Sequence, residues 1–157
     1  MRRYLFAILL ACISSLSYAQ SLTFEELQKM TNLTNDQVHN FLIISKGFKS
    51  LGKQIHFGRS FEAFESTRPD PKLKETVLLG VAGEMPSGNI GRQVFYYSAR
   101  MKDIDAILKQ ARQSSMTMIF DGSDKQQNIY HFNNTLFMAI ISVGLNKSYG
   151  SVQLEEK

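Results

Sequence analysis

The sequence predicts an α+β domain in which two helix-plus-meander halves share a largely antiparallel sheet, with helices on one face. Three observations predict this class. Two capping-box motifs follow one another near the start of the chain, and an apolar stripe at helical spacing covers residues 101–113. Short apolar segments separated by turn residues fill much of the remainder. The predicted order, α-α-β-β-β-β-α-β-β-β, places a meander after helices twice, which is typical of an α+β layer arrangement.

The first element, residues 1–19, predicts a secretory signal peptide. Arg2 and Arg3 precede a short apolar run, and small residues flank Tyr18 in a small-x-small cleavage motif that ends at Ala19. The apolar run is too short to cross a bilayer as a stable helix. We therefore expect cleavage between Ala19 and Gln20 and an exported mature chain, periplasmic or secreted, with no transmembrane segment.

A lipoprotein signal is the alternative interpretation of the same region. The segment that ends at Cys12 resembles a lipobox, in which the cysteine would carry a lipid. The motif at Ala19 is the better match, and its use would remove the only cysteine of the chain. The mature protein would then have no disulfide and no thiolate ligand. Cleavage would also lower the formal charge of +4, so we expect no nucleic-acid partner.

Two consecutive helices open the predicted domain, which extends over residues 20–146. Thr23 with Glu26, and Thr34 with Gln37, have capping-box spacing, in which the side chains of the N-cap and N3 residues accept hydrogen bonds from each other's backbone N–H. A hydrophobic residue precedes each threonine and can pack on the first turn of its helix. The second helix should extend over residues 35–46, before a glycine suited to a left-handed C-terminal position.

Strands and one further helix follow in alternation with turn residues. The tail, residues 147–157, is polar, and we expect it to be frayed. Asp121-Gly122 and Asn133-Asn134 are the expected turns of the second meander. The predicted strands are 53–57, 60–66, 75–82, 92–99, 116–120, 128–132 and 135–145, and the predicted third helix is 101–113.

The sequence carries no common motif of catalysis, metal binding or cofactor binding. Gly83 and Gly88 have the spacing of a phosphate-binding loop, but Asn89 stands where the essential lysine would be. The chain has no HExxH motif and no GxSxG motif. We therefore expect no cofactor and no enzymatic activity. In the alternative of an enzyme with an unfamiliar site, His131 and Asp121 are the first residues to test, because turns and strand ends often hold catalytic groups.

Aromatic residues on the predicted strands indicate a recognition surface. Neighbouring residues of a strand point to opposite faces, so some aromatics must lie on a face that helices do not cover. We expect Tyr96, Tyr97, Tyr130 and Phe132 to form a binding surface for another envelope protein or a cell-surface polymer. Burial of these side chains in the core is the competing interpretation.

A carrier of a small ligand or lipid is a further alternative. Methionine side chains adapt to irregular apolar ligands, and several could line a pocket between helices and sheet. The methionines expected there are Met101, Met116, Met118 and Met138.

Residues 22–30 and 38–49, behind a signal that ends in Ser-Tyr-Ala-Gln, resemble small secreted proteins of Bacteroidota-type bacteria. This resemblance implies a bacterial envelope location and transfers no functional residue. The helix-helix-meander order is similar to the fold of the beta-lactamase inhibitory protein and of small outer-membrane assembly lipoproteins. Such similarity concerns fold and not function.

Overall fold

The computed structural model describes residues 21–56, 58–84 and 90–157, and for residues 82–84 and 90 it describes the backbone alone. The predicted signal peptide, with the alternative lipid site at Cys12, lies outside the described residues. Residues 85–89, which include Gly88 and Asn89 of the phosphate-loop spacing, lie outside them as well.

Local capping signals position the first two helices as predicted. Helix α1 covers Phe24–Asn32 and α2 covers Asn35–Asn40, and the chain continues from α2 as a π-helix over Phe41–Ser45. Both capping boxes are confirmed, because each N-cap threonine accepts from the N3 backbone while the N3 side chain accepts from the threonine backbone. Gly47 ends the helical segment with a φ of +68°, a left-handed conformation that favours glycine. Helix α3 covers Met101–Gln113, as its apolar stripe predicts.

Eight antiparallel strands form one sheet in the order β1-β2-β3-β4-β8-β7-β6-β5, which confirms the α+β class. A single 3₁₀ turn, Pro71–Leu73, interrupts the connection between the second and third strands. The strands are β1 Phe48–His56, β2 Arg59–Ser66, β3 Glu75–Glu84, β4 Ile90–Ser98, β5 Thr117–Ser123, β6 Gln127–Asn133, β7 Phe137–Gly144 and β8 Gly150–Glu156.

The expected frayed tail is instead a central strand. Strand β8 pairs with β4 on one side and with β7 on the other. Val152 and Leu154 are buried, whereas Ser151 and Gln153, which alternate with them, are half-buried on the opposite face. The polar composition of the segment therefore reflects one face of a strand and not a disordered tail.

The first turn of the second meander also differs from the prediction. Asp121 and Gly122 belong to β5, where they lie opposite Tyr130 and Ile129. The turn is made further along by Asp124, whose carboxylate accepts hydrogen bonds from the backbone N–H groups of residues 126 and 127. These bonds stabilise the ionised carboxylate and lower the pKa of Asp124.

One large apolar core joins the helices to the sheet. Leu27 and Met30 from α1 and Ile104 from α3 are fully buried in the same cluster as strand residues of both meanders. Helix α1 contacts β4 and β8, and α3 contacts β7, β8 and β4. The core is therefore centred on the middle strands of the sheet. No helix in the described part of the chain is long and apolar enough to cross a membrane.

Candidate binding site

Strand alternation divides the side chains of the sheet between two faces. In β4, Val94 and Tyr96 belong to the large core that contains the helical residues. Phe95 and Tyr97 point the opposite way and belong to a separate, smaller cluster. We call the sheet side that carries this smaller cluster the second face and the side that carries the large core the first face.

Three aromatic rings cover one end of the second face. Phe61 on β2 meets Phe95 on β4 edge to face, with ring centroids 5.5 Å apart, and Phe95 is nearly parallel to Tyr97 at 6.4 Å. These spacings are typical of favourable aromatic pairs. Phe61 crosses the intervening strand over Gly80, where a Cβ atom would collide with its ring. We call Phe61, Phe95 and Tyr97 the aromatic row.

Polar side chains surround a shallow cavity above this row. The cavity has a volume of about 300 Å³ and is lined by Phe61, Phe95, Arg59, Gln93 and Gln153. Gln93 donates from Nε2 to the Glu155 carboxylate at 3.2 Å, which orients its amide. Phe61 and Phe95 are only 2% and 8% exposed, so they offer a ligand little ring surface, whereas the guanidinium and amides at the rim can hydrogen-bond its polar groups.

A second aromatic pair extends this surface towards the other edge of the sheet. The rings of Phe120 on β5 and His131 on β6 lie 5.0 Å apart, and Phe120 is 48% exposed. The register links the two clusters in one line of opposed residues on the second face: Phe95, Gln153, Ile140, His131 and Phe120. The second face therefore carries a continuous strip of aromatic, aliphatic and amide side chains across five strands.

The structure separates the four residues predicted to bind. Tyr97 lies on the second face and is half-buried, and that burial raises the pKa of its hydroxyl. Tyr96 and Phe132 are buried in the large core, so they cannot contact a partner. Tyr130 packs against the same core, and the Arg112 guanidinium lies 5.2 Å from its ring centroid. Only Tyr97 is retained in the candidate site.

Sequence reasoning missed the contribution of Phe61 and Phe95. Phe95 lies two residues before Tyr97, so the alternation of a strand places both on one face. That signal was present in the sequence. The approach of Phe61 depends on strand pairing and on Gly80, which the sequence alone does not specify.

Tyr96 takes part in a buried polar network instead. Its hydroxyl donates to the Glu75 carboxylate at 2.5 Å, and Arg68 forms an ion pair with the same carboxylate at 3.2 Å. Burial, and then the negative charge of Glu75, raise the pKa of Tyr96 far above its ordinary value.

A second buried carboxylate lies nearby. The Asp103 carboxylate accepts hydrogen bonds from the Ser98 hydroxyl and from the Arg100 guanidinium. Each buried carboxylate has an arginine partner, an arrangement that satisfies buried charge.

The residues expected for an enzyme or a methionine-lined carrier do not converge. Asp121 lies opposite Tyr130 while His131 lies opposite Phe120, so alternation places Asp121 and His131 on different faces. Met116 is buried in the core and Met118 is exposed on an edge strand. Met101 packs against the core, whereas Met138 lies opposite Glu155 on the second face. Within the described residues, no group of three His, Cys, Asp or Glu side chains could hold a metal ion.

Comparison of the chain with protein-family models, curated proteins and solved structures finds no match.

Proposed function

We propose that the protein is an exported, non-catalytic binding module of the bacterial envelope, and that it binds another protein or a cell-surface polymer through the second face. The accessible aromatic side chains of this face, the half-buried Tyr97 and His131 and the exposed Phe120, are the observation that carries this proposal. Aromatic and arginine side chains dominate the energetics of protein recognition, and aromatic rings also stack on sugars and planar groups. From Phe95 to Phe120 the strip extends about 19 Å at the ordinary strand spacing, which suits an extended chain.

The proposed architecture leaves this face free. The first half comprises α1, α2 and β1–β4, and the second comprises α3 and β5–β8, with β4 and β8 as the seam. We propose that the helices cover the first face alone. In support, the apolar residues of α1 and α3 belong to the first-face core, and the aromatic row forms a separate cluster.

The proposed location follows from the residues that precede the domain. A cleavable signal over residues 1–19 would deliver the chain to the periplasm or the exterior, where an envelope protein or polymer is the available partner. A lipid on Cys12 would instead hold the domain at a membrane surface.

The test is an in-cell crosslinking capture of the tagged protein, followed by mass spectrometry and an affinity measurement with the captured partner. We expect the double variant Tyr97→Ala with Phe120→Ala to bind that partner at least about tenfold more weakly, because it removes an accessible ring from each aromatic cluster. Both side chains are at least partly exposed, so the fold should survive.

Tyr149→Ala is the matched control. Tyr149 is 40% exposed in the connection between β7 and β8. It lies outside both the aromatic row and the strip from Phe95 to Phe120. This variant should keep the affinity of the unchanged protein. Equal affinity of the double variant and the control would overturn the proposal. Capture of glycan or peptidoglycan fragments, without protein, would identify a polymer as the ligand.

A further inference from the structure

The first face contains a second cavity that the proposed function does not use. It has a volume of about 430 Å³ and lies where the end of α1 and the start of α2 meet the outer part of β1–β4. We call it the rim cavity. Its lining includes Met30, Leu79, Val94, Lys53, Glu62 and Arg92.

One side of the rim cavity is apolar, although the buried Gln93 also belongs to its lining. Met30 from α1 and Val94 from β4 are buried members of the large core, and Leu79 from β3 packs against them half-buried. At the mouth, Val81 is 54% exposed and lies opposite Arg92 across the β3–β4 pair. Val81 therefore offers a bound aliphatic chain one more apolar contact at the mouth.

The charges of the rim cavity are unevenly balanced. Lys53 and Glu62 lie directly opposite each other on β1 and β2, so each offsets the charge of the other. Within the part of the chain that the structure describes, Arg92 forms no ion pair with any carboxylate. Among the lining side chains that the structure describes, Arg92 is therefore the surplus cation, and the guanidinium of this half-buried residue can bind a carboxylate through two parallel hydrogen bonds.

We propose that the rim cavity binds an amphiphile with a single carboxylate on an aliphatic chain. The carboxylate binds Arg92 at the mouth, and the chain packs on Leu79, Val94 and Met30. A bound carboxylate would neutralise the charge of Arg92 while its aliphatic chain covers the apolar lining. A neutral lipid or a cationic amphiphile could not do both. The same chemistry belongs to a free fatty acid and to an N-acylated amino acid, so the experiment compares both.

Calorimetric titration of the purified chain with dodecanoate, below the concentration at which it forms micelles, tests the proposal. N-dodecanoylglycine represents the acylated amino acids, and dodecyltrimethylammonium is the cationic control. We expect dodecanoate or N-dodecanoylglycine to bind and the cationic amphiphile not to bind. The tighter of the two carboxylates identifies the source of the ligand.

Arg92→Gln should weaken carboxylate binding about tenfold. The substitution removes the positive charge, and the neutral amide cannot reproduce the two parallel hydrogen bonds of the guanidinium. Lys109→Gln, on the exposed side of α3, is the matched control and should leave the affinity unchanged. Leu79→Gln should also weaken binding, because it replaces an apolar side chain of the cavity lining and leaves the charge unchanged. A lack of saturable binding by either carboxylate, or equal affinity of Arg92→Gln and Lys109→Gln, would refute the rim cavity as an amphiphile site.

This inference and the proposed function fail independently. The double variant Tyr97→Ala with Phe120→Ala lies on the second face and should bind dodecanoate normally. Arg92→Gln should likewise keep the envelope partner captured through the second face. Loss of both affinities in a variant that keeps the circular dichroism of the unchanged protein would contradict the assignment of two separate sites.

Discussion

At the scale of single residues, neighbouring tyrosines in β4 have unrelated roles. Tyr97 lies half-buried in the aromatic row on the second face, whereas Tyr96 is fully buried with its hydroxyl bonded to Glu75. Residue type alone cannot separate these roles, because tyrosine suits both a half-exposed surface and a buried hydrogen bond. The side of the strand on which each lies decides between them.

Tyr96→Phe should destabilise the protein by about 1–3 kcal/mol, because the buried Glu75 carboxylate loses a hydrogen-bond donor and regains no water. Urea denaturation monitored by circular dichroism measures this free energy of unfolding. Tyr97→Phe is the matched control and should change it by less than about 0.5 kcal/mol. If Tyr96→Phe were as stable as the control, the hydroxyl of Tyr96 would not support the buried carboxylate.

The sequence predicted the candidate site only in part, for reasons visible in individual residues. Phe95 was missed although alternation along one strand is enough to place it on the same face as Tyr97. The ion pair between Arg68 and Glu75 forms across a loop, and the passage of Phe61 over Gly80 crosses a strand pair. Such contacts depend on register, which no local pattern in these segments specifies.

At the scale of elements, local signals predicted the helices well and the last strand not at all. Each capping box lies within four consecutive residues, so the hydrogen bonds that form it depend only on the local sequence. Strand β8 is different because its second-face residues are polar and only two apolar side chains, Val152 and Leu154, alternate with them. A central strand with one polar face resembles a hydrophilic tail in composition, and only pairing with β4 and β7 distinguishes them.

Leu154→Ala should therefore destabilise the protein by about 2–5 kcal/mol, the usual cost of truncating a fully buried leucine. Gln153→Ala, the adjacent change on the half-buried second face, should cost less than about 0.5 kcal/mol. Guanidinium denaturation of the two variants provides the comparison. Equal stabilities would mean that the C-terminal segment does not pair in the sheet and is the frayed tail that its composition suggests.

At the scale of the whole molecule, the seam between β4 and β8 makes the two proposed halves interdependent. Tyr96 lies opposite Val152 and Val94 lies opposite Leu154, and all four side chains are buried in one core. Separating the halves would expose this apolar surface and open two sheet edges. A single apolar core of this kind favours one cooperative unfolding transition.

We therefore expect neither fragment 21–99 nor fragment 100–157 to fold cooperatively alone, and we expect an equimolar mixture to regain the far-ultraviolet circular dichroism of the intact chain. Each fragment retains four strands but lacks the residues that bury its side of the seam, and exposed edges of this length favour pairing. The mixture should fold less readily when fragment 100–157 carries Leu154→Ala, whereas Gln153→Ala should have little effect. Thermal melts of each fragment and of the mixtures distinguish the outcomes. A fragment that melts cooperatively by itself, near the temperature of the intact chain, would show that the halves are autonomous and that the seam is an interface between domains.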